Sequence, residues 1–521
     1  MFESIGEIML PVDNNIREAI LEAKGNIVIS ASAGTGKTHT TIQRIIRDAE
    51  KNSNYQTFAA ITFTRKAAKD ISKRLGPNKG EGFVGTNDNF IWLEIIQPFM
   101  YDFYGPEYKI KINPDFSDDN QVTTYEQGVT KIKNTQLMCK YRDVKKNFAF
   151  QLALKILVGS DAARRYIKAK YYRLYIDEYQ DSDEDMHNLF MYLVDNLEVP
   201  LFVVGDSKQS IYGWRGAYSI GFTGLFEKPS FEKFDLFHNF RSNKAIQNYS
   251  NIFMPSVRKY YVEHDFSGEV ELKAYSNESE ILNYISEWID SENKCAFLNF
   301  SNSEAELWSA KLNKLGIPFV YLASSPLDYA NLESTHIWIA RAIAHFILKK
   351  LYSEYDFMDE IPMPGLYKIT DLKKILYKIK DSLGDYNSFK EQSVNLYNHL
   401  GYIDDIQKIE SEIEKLFEVV NDDKYIPTYN QEEYKLTSGT IHSSKGLEYK
   451  QVIINAKDYD LSRQDIRYLH YVAITRPEEK LLIIASEYSI ERYKGYIEKA
   501  IIRTRELGIT IDMNNVIRII E

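Results

Sequence analysis

The run Ala31-Ser32-Ala33-Gly34-Thr35-Gly36-Lys37-Thr38 has the residue types of a loop that grips phosphate. Its glycines let successive backbone N–H groups curl round an anion, and a following helix would add the positive end of its dipole. Lys37 would neutralise the β- and γ-phosphates, and the Thr38 hydroxyl would bind Mg²⁺. Ala31 stands where such loops usually open with glycine, a small change that keeps the turn feasible. A ligand-free glycine turn between strand and helix is the plainer alternative. About 140 residues later, Leu174-Tyr-Ile-Asp177-Glu178-Tyr-Gln180-Asp181 ends an apolar run in carboxylates. Asp177 would hold the same metal through water, and Glu178 would polarise the attacking water as general base. Carboxylates after a strand also serve as helix N-caps. The upstream loop favours catalysis for Asp177 and Glu178 and leaves Asp181 as a cap.

These groups need a rigid frame. Asn26 to Ser30 reads as a short buried strand entering the loop, and Thr38 to Ala49 has helical spacing with Ile42, Ile45, Ile46 and Ala49 on one face. Tyr55 to Thr64 predicts a strand, Lys66 to Leu75 a helix, and Leu174–Ile176 and Leu201–Val204 two more strands. A second set surrounds Cys295–Asn299, Gln451–Asn455 and Leu481–Ala485. Strands alternating with helices imply an α/β fold with parallel sheets covered on both faces. Residues 100–145, rich in Tyr, Asp, Asn and Lys, look inserted, and 327–435 are helical in pattern. The stretch 401–435 holds ten acids against four lysines, and Ile403, Ile406, Ile413, Leu416 and Val420 make one apolar helical face. A bundle helix explains that face more simply than a partner-binding helix.

At 521 residues the chain exceeds one ordinary core, so two large domains with inserts are expected. The net charge of −10 argues against a protein that coats nucleic acid generally, but leaves room for a local basic groove. Two distant cysteines, Cys139 and Cys295, support neither a disulfide framework nor a zinc module. The N-terminus lacks a signal pattern and no 18-residue apolar stretch occurs, so a cytoplasmic protein with no membrane partner is expected.

Further motifs then make the chain resemble superfamily 1 helicases of the UvrD/Rep type. Thr62-Phe63-Thr-Arg-Lys-Ala-Ala68 is similar to motif Ia, and Gly85-Thr-Asn-Asp-Asn-Phe90 occupies motif Ib. Val204-Gly-Asp206-Ser-Lys-Gln209-Ser-Ile-Tyr212-Gly-Trp214-Arg215-Gly-Ala217 resembles motif III, and Asn239-Phe240-Arg241-Ser242 motif IV. Thr440-Ile-His442-Ser-Ser-Lys445-Gly-Leu-Glu448 and Tyr471-Val-Ala-Ile-Thr475-Arg476 resemble motifs V and VI. The resemblance implies two RecA-like lobes, 1–99 with 146–235 and 236–326 with 436–521, carrying small inserts at 100–145 and 327–435. It further implies that Arg241 and Arg476 act as arginine fingers on the γ-phosphate, that Gln209 senses that phosphate, and that Glu448 touches the ribose or couples the lobes. Phe240 would stack on the base. Phe63, Tyr212, Trp214, Arg215 and His442 would bind DNA, aromatic faces stacking on unpaired bases at roughly 1–3 kcal/mol each.

Three departures qualify the match. Ile16 falls where the family usually has the Gln that reads adenine, His39 replaces the common Arg after the loop threonine, and Asp88 stands where a DNA-facing His is frequent. A stacked base without edge hydrogen bonds is poorly discriminated, so GTP and dNTPs are expected as substrates beside ATP. Longer surface-including stretches, Glu94-Ile-Ile-Gln-Pro-Phe99, Asn147-Phe-Ala-Phe-Gln-Leu-Ala-Leu154 and Asp185-Met-His-Asn-Leu-Phe-Met-Tyr-Leu193, resemble the helicase-like subunits of bacterial Gabija anti-phage systems. That resemblance implies a GajA-like nuclease partner, activation by DNA ends or single strands, and consumption of (d)NTPs. A UvrD/Rep-like repair helicase or translocase, and a nucleotide-dependent DNA-binding switch with incidental hydrolysis, are the alternatives.

Overall fold

Short apolar runs become strands wherever a turn residue and a helix follow them. In the first half these are β1 (Asn26–Ala31), β2 (Thr57–Thr62), β3 (Phe83–Thr86), β4 (Tyr171–Ile176), β5 (Leu201–Gly205) and β6 (Phe231–Leu236). The second half supplies β7 (Val270–Tyr275), β8 (Cys295–Asn299), β9 (Val320–Tyr321), β10 (Leu436–Thr440), β11 (Tyr449–Asn455), β12 (Pro477–Ser486) and β13 (Arg518–Ile520). The computed structural model describes residues 11–108, 113–114, 121–143, 145–209, 218–329, 336–361, 367–402 and 406–520. Among the described residues these strands form a six-stranded sheet ordered β6-β1-β5-β4-β2-β3 and a seven-stranded sheet ordered β9-β10-β8-β11-β12-β7-β13. All the pairings in both are parallel. The chain is therefore α/β with two RecA-like lobes.

Alternation along each strand builds two cores per sheet. On β1, Ile27, Ile29 and Ala31 join Ile42, Ile45, Phe58 and Val204 on one face, while Val28 packs with Ala59, Ile61, Leu174 and Ile176 on the other. The second sheet repeats the scheme, with Ala296, Leu298, Val452 and Ile483 on one side and Cys295, Phe297, Ile453 and Leu482 on the other. Parallel pairing brings the C-terminal ends of β1 to β5 to one edge, where ligand loops collect. Helix α1 (Asn14–Glu22) precedes β1, while α2 (Lys37–Lys51) and α3 (Arg65–Leu75) follow β1 and β2. The strand expected over Tyr55–Thr64 is shorter than its apolar pattern. Tyr55 is exposed, and Thr64 has turned away to cap α3, its hydroxyl accepting from the Ala67 N–H at 3.1 Å.

The two inserted stretches are built differently. Tyr108, Val122, Ile132, Met138 and Tyr141 pack into the cluster that contains Phe148, Phe150 and Leu152, so residues 100–145 share the core of the first sheet. Helices Ile337–Leu348, Ile369–Asp381, Tyr386–His399 and Ile406–Asn421 enclose a core of their own around Leu376, Leu396, Ile413 and Leu416. The apolar face expected on the last helix needs correction. Ile406 opens that helix and is 62% exposed, and the buried face consists of Ile409, Ile413, Leu416, Val419 and Val420. Ile403 lies outside the described residues. Cys139 and Cys295 are both buried, and they form no disulfide among the described residues. Among the described residues no helix is long and apolar enough to cross a membrane.

Candidate active site

The phosphate loop leaves β1 at buried Ala31 and enters α2 at Lys37. Gly34 and Gly36 have φ of +73° and +78°, in the left-handed region that glycine tolerates without a Cβ clash. At Gly34 the constraint is double, because an added Cβ would sit 2.9 Å from the Arg241 Cβ. The carbonyl of Gly34 also accepts the Phe240 N–H at 2.9 Å. Residues 239–241 thus lie directly on the loop. Ser32 and Thr35 close its turn, the Thr35 hydroxyl donating to the Ser32 carbonyl at 2.8 Å, and Ala33 is buried within it. Lys37 Nζ donates to the Ala31 carbonyl at 3.4 Å.

The start of α2 and the end of β4 meet beside the phosphate loop. The Thr38 hydroxyl, at the start of α2, donates to Asp177 Oδ2 at 2.9 Å, and Asp177 Oδ1 accepts the Glu178 N–H at 2.9 Å. A hydroxyl and a carboxylate converging beside a phosphate loop are the hard oxygen donors that Mg²⁺ takes, so the residues present fit the ion. Burial pushes the Asp177 carboxyl up, and the Glu178 charge adds to it. Burial pushes Glu178 up as well, but the charges of Lys37 and Lys445 outweigh it, and the net direction is down. Glu178 is therefore held as a carboxylate. Its backbone sits at φ +56°, a costly conformation for a side-chain-bearing residue that functional sites retain.

The second lobe brings the arginines. Arg476 is 1% exposed, and its Nη2 donates to Gln209 Oε1 at 3.3 Å across the two sheets. Burial, then the neighbouring Arg241, pulls its pKa down to about 10. Arg241 Nε donates to Glu448 Oε1 at 2.7 Å and Nη1 to the Thr475 carbonyl at 3.2 Å. Glu448 thus orients Arg241 in this structure. Gln209 Nε2 in turn donates to Asp206 Oδ2 at 2.7 Å.

At the base end Phe240 is 58% exposed, with the Arg17 guanidinium 4.9 Å from its ring centroid and the His238 ring edge-on at 4.6 Å. Arg17 is fixed by both oxygens of buried Asp13 (2.7 and 3.1 Å), the Thr35 carbonyl (3.0 Å) and the Thr40 hydroxyl (3.3 Å). Ile16 packs against the first-sheet core and offers the base no amide. His39 is exposed and, like Phe240, borders Gly36, its pKa lowered by partial burial and by Arg74 and Arg17.

Of the residues expected to meet DNA, Phe63 is half-buried against the first-sheet core, and His442 is half-buried in the turn after β10. Tyr212, Trp214 and Arg215 lie outside the described residues. The structure adds groups to which the sequence reading gave no catalytic role. Asp181, expected as a cap, is not one: Asp183 caps the following helix, and the Asp181 carboxylate accepts from Lys445 Nζ of the second lobe at 2.7 Å. Gln180 joins Glu178 to Asp206 (2.5 and 2.9 Å). Thr62 and Asn87, at the ends of β2 and β3, are buried with side-chain polar atoms lacking a hydrogen-bond partner among the described residues. All four lie inside the motif stretches, which was the available signal.

A phosphate loop, paired strand-end carboxylates and arginines from a second RecA-like lobe define a helicase-type nucleotide hydrolase. In agreement, a family model described as an AAA domain matches residues 16–215, and one described as a UvrD-like helicase C-terminal domain matches residues 435–484. The chain is 37% identical to the Gabija protein GajB of Bacillus cereus (strain VD045), over 92% of this chain and 97% of that protein. The chain belongs to the GajB family. It is also 22% identical to the ATP-dependent DNA helicase PcrA of Staphylococcus epidermidis (strain RP62A), over 89% of this chain and 82% of the relative. With PcrA of Staphylococcus aureus (strain Mu50) the identity is 26%, over 45% of this chain and 38% of the relative.

Proposed function

We propose that this enzyme hydrolyses ATP and other (d)NTPs when DNA ends or single strands engage it, and acts in Gabija defence with a GajA-like nuclease. The observation that carries the reading is the Arg476–Gln209 contact, which joins a finger arginine of one lobe to the phosphate-sensing turn of the other. In this reading Lys37 and the N–H groups of 31–36 bind the phosphates, and Thr38 and Asp177 hold Mg²⁺. The ion, when bound, screens the phosphate charge developing in the transition state. Glu178 takes a proton from the attacking water, Gln209 reports the γ-phosphate, and Arg241 and Arg476 offset the charge on it. Glu448 sets the direction of Arg241, Phe240 stacks on the base, and His39 lies beside it. Phe63, Tyr212, Trp214, Arg215 and His442 line the DNA path. We divide the chain as 1–99 with 146–235, 100–145, 236–326 with 436–521, and 327–435, in the cytoplasm.

The test is Glu178→Gln in cells challenged by phage, with DNA and partner binding measured in parallel. Loss of protection with both bindings intact is expected. Retained protection would show that hydrolysis is incidental and would overturn the reading. Efficient unwinding of tailed duplexes, with no need of the nuclease, would point instead to a repair helicase.

A further inference from the structure

Gln180 is fully buried on the turn Tyr179–Asp181 that follows β4, and both ends of its amide are engaged. Its Oε1 accepts the backbone N–H of Asp206 at 2.9 Å. A backbone N–H can only donate, so the end facing it must be the oxygen, and the NH₂ end is thereby aimed at Glu178. Nε2 donates to Glu178 Oε2 at 2.5 Å. The space is built for this side chain, since a Cβ on Gly205 would lie 2.8 Å from Gln180 Oε1 and 2.8 Å from the Phe222 ring.

The far end of the connection is equally constrained. The Asp206 carboxylate accepts from Gln209 Nε2 at 2.7 Å and from Lys208 Nζ at 2.6 Å, so the turn 206–209 is cross-braced. Gln209 Oε1 then accepts from Arg476. An unbroken series of hydrogen bonds thus runs Glu178, Gln180, Asp206, Gln209, Arg476. A shift of the 206–209 turn would carry the Gln180 amide with it, and so its hydrogen bond to the Glu178 carboxylate.

We infer that Gln180 is a positioning residue that transmits the placement of the phosphate-sensing turn 206–209 to the Glu178 carboxylate. The inference rests on the reading of Glu178 as general base and Gln209 as phosphate sensor. A merely structural glutamine would fill the same cavity and satisfy the same N–H without linking the two.

The experiment is a double-mutant cycle on hydrolysis of MgATP by the full chain, with and without single-stranded DNA. It compares the parent, Gln180→Met, Gln209→Met and the double variant. Each single change is expected to lower kcat roughly ten-fold or more with KM little moved, and the double to fall no further than the worse single, because groups acting as one unit are non-additive. Gln180→Leu removes the same donor and acceptor with an apolar side chain; it gives the same cycle if the Met variant does not fold. Losses that multiply in the double variant, or a Gln180 variant that moves Tm and KM but leaves kcat, overturn the inference. A parent enzyme that ignores DNA would instead defeat the proposed function, and the DNA-free cycle still decides the role of Gln180.

Discussion

Lys445, in the turn after β10, sets its ammonium 2.7 Å from the Asp181 carboxylate and 3.2 Å from the Gln209 carbonyl, although 264 residues separate it from Asp181. Both side chains are largely shielded, at 12% and 6% exposure. Burial pushes the Asp181 carboxyl up to about 6 against the pull of Lys445. The pair therefore joins the lobes beside Glu178 without relaxing its own desolvation cost.

Lys445→Ala should lower kcat on the order of 10- to 100-fold, from the roughly 1.5–3 kcal/mol of a hydrogen bond to a charged group, with KM moved far less. Steady-state kinetics of the variant check this. An unchanged kcat would mean the bridge is incidental to the hydrolytic state.

The base end predicts weak discrimination. Phe240 offers an exposed ring braced by Arg17, whose donors are directed to Asp13, Thr35 and Thr40. ATP, GTP and their deoxy forms should be hydrolysed with kcat/KM within about ten-fold, since a stacked base without edge hydrogen bonds is poorly selected. Phe240→Ala should raise KM for all of them by on the order of 10-fold or more, the loss of a stacking contact worth roughly 1–3 kcal/mol. A strong preference for ATP across the panel would contradict the account.

Stability should carry a histidine signature at mild acidity. Burial holds the His470 imidazole down to about 3, while an unfolded chain titrates near 6.5. Between those values the unfolded state binds the extra proton. Stability is then full above about pH 6.5 and falls as pH drops toward 3, by up to about 1.4 kcal/mol per pH unit from this group. His470 Nε2 shares a hydrogen bond of 2.7 Å with the Tyr493 hydroxyl. His470→Gln removes the titration and should flatten the loss of denaturation midpoint between pH 7 and pH 5. An unaltered pH slope would sink the assignment.

Much of the fold was legible because it is local. β1 and β2 announce themselves by apolar runs ending in turn residues, and the phosphate loop by spacing alone. The Thr38–Asp177 meeting was legible too, since parallel strands put both at one edge. Partnerships set by tertiary approach were not. Nothing near Asp181 in sequence hints at Lys445, and nothing near Glu448 hints at its bond to Arg241. Gln180 lies two residues from Glu178, yet its bond to the Asp206 N–H, 26 residues on, makes the connection. Ile406 was misplaced because helical periodicity fixes a face but not where the helix begins.

The central claim is that DNA gates hydrolysis at the site built from Lys37, Asp177 and Glu178. The most direct measurement is phosphate release by the full chain from the eight common NTPs and dNTPs, with and without linear DNA, beside Lys37→Ala. The account predicts a rise of about ten-fold or more with DNA, and loss of at least about 100-fold in Lys37→Ala, as when one charge-stabilising donor is removed from a transition state. Equal rates with and without DNA, or a Lys37→Ala enzyme as fast as its parent, would contradict it.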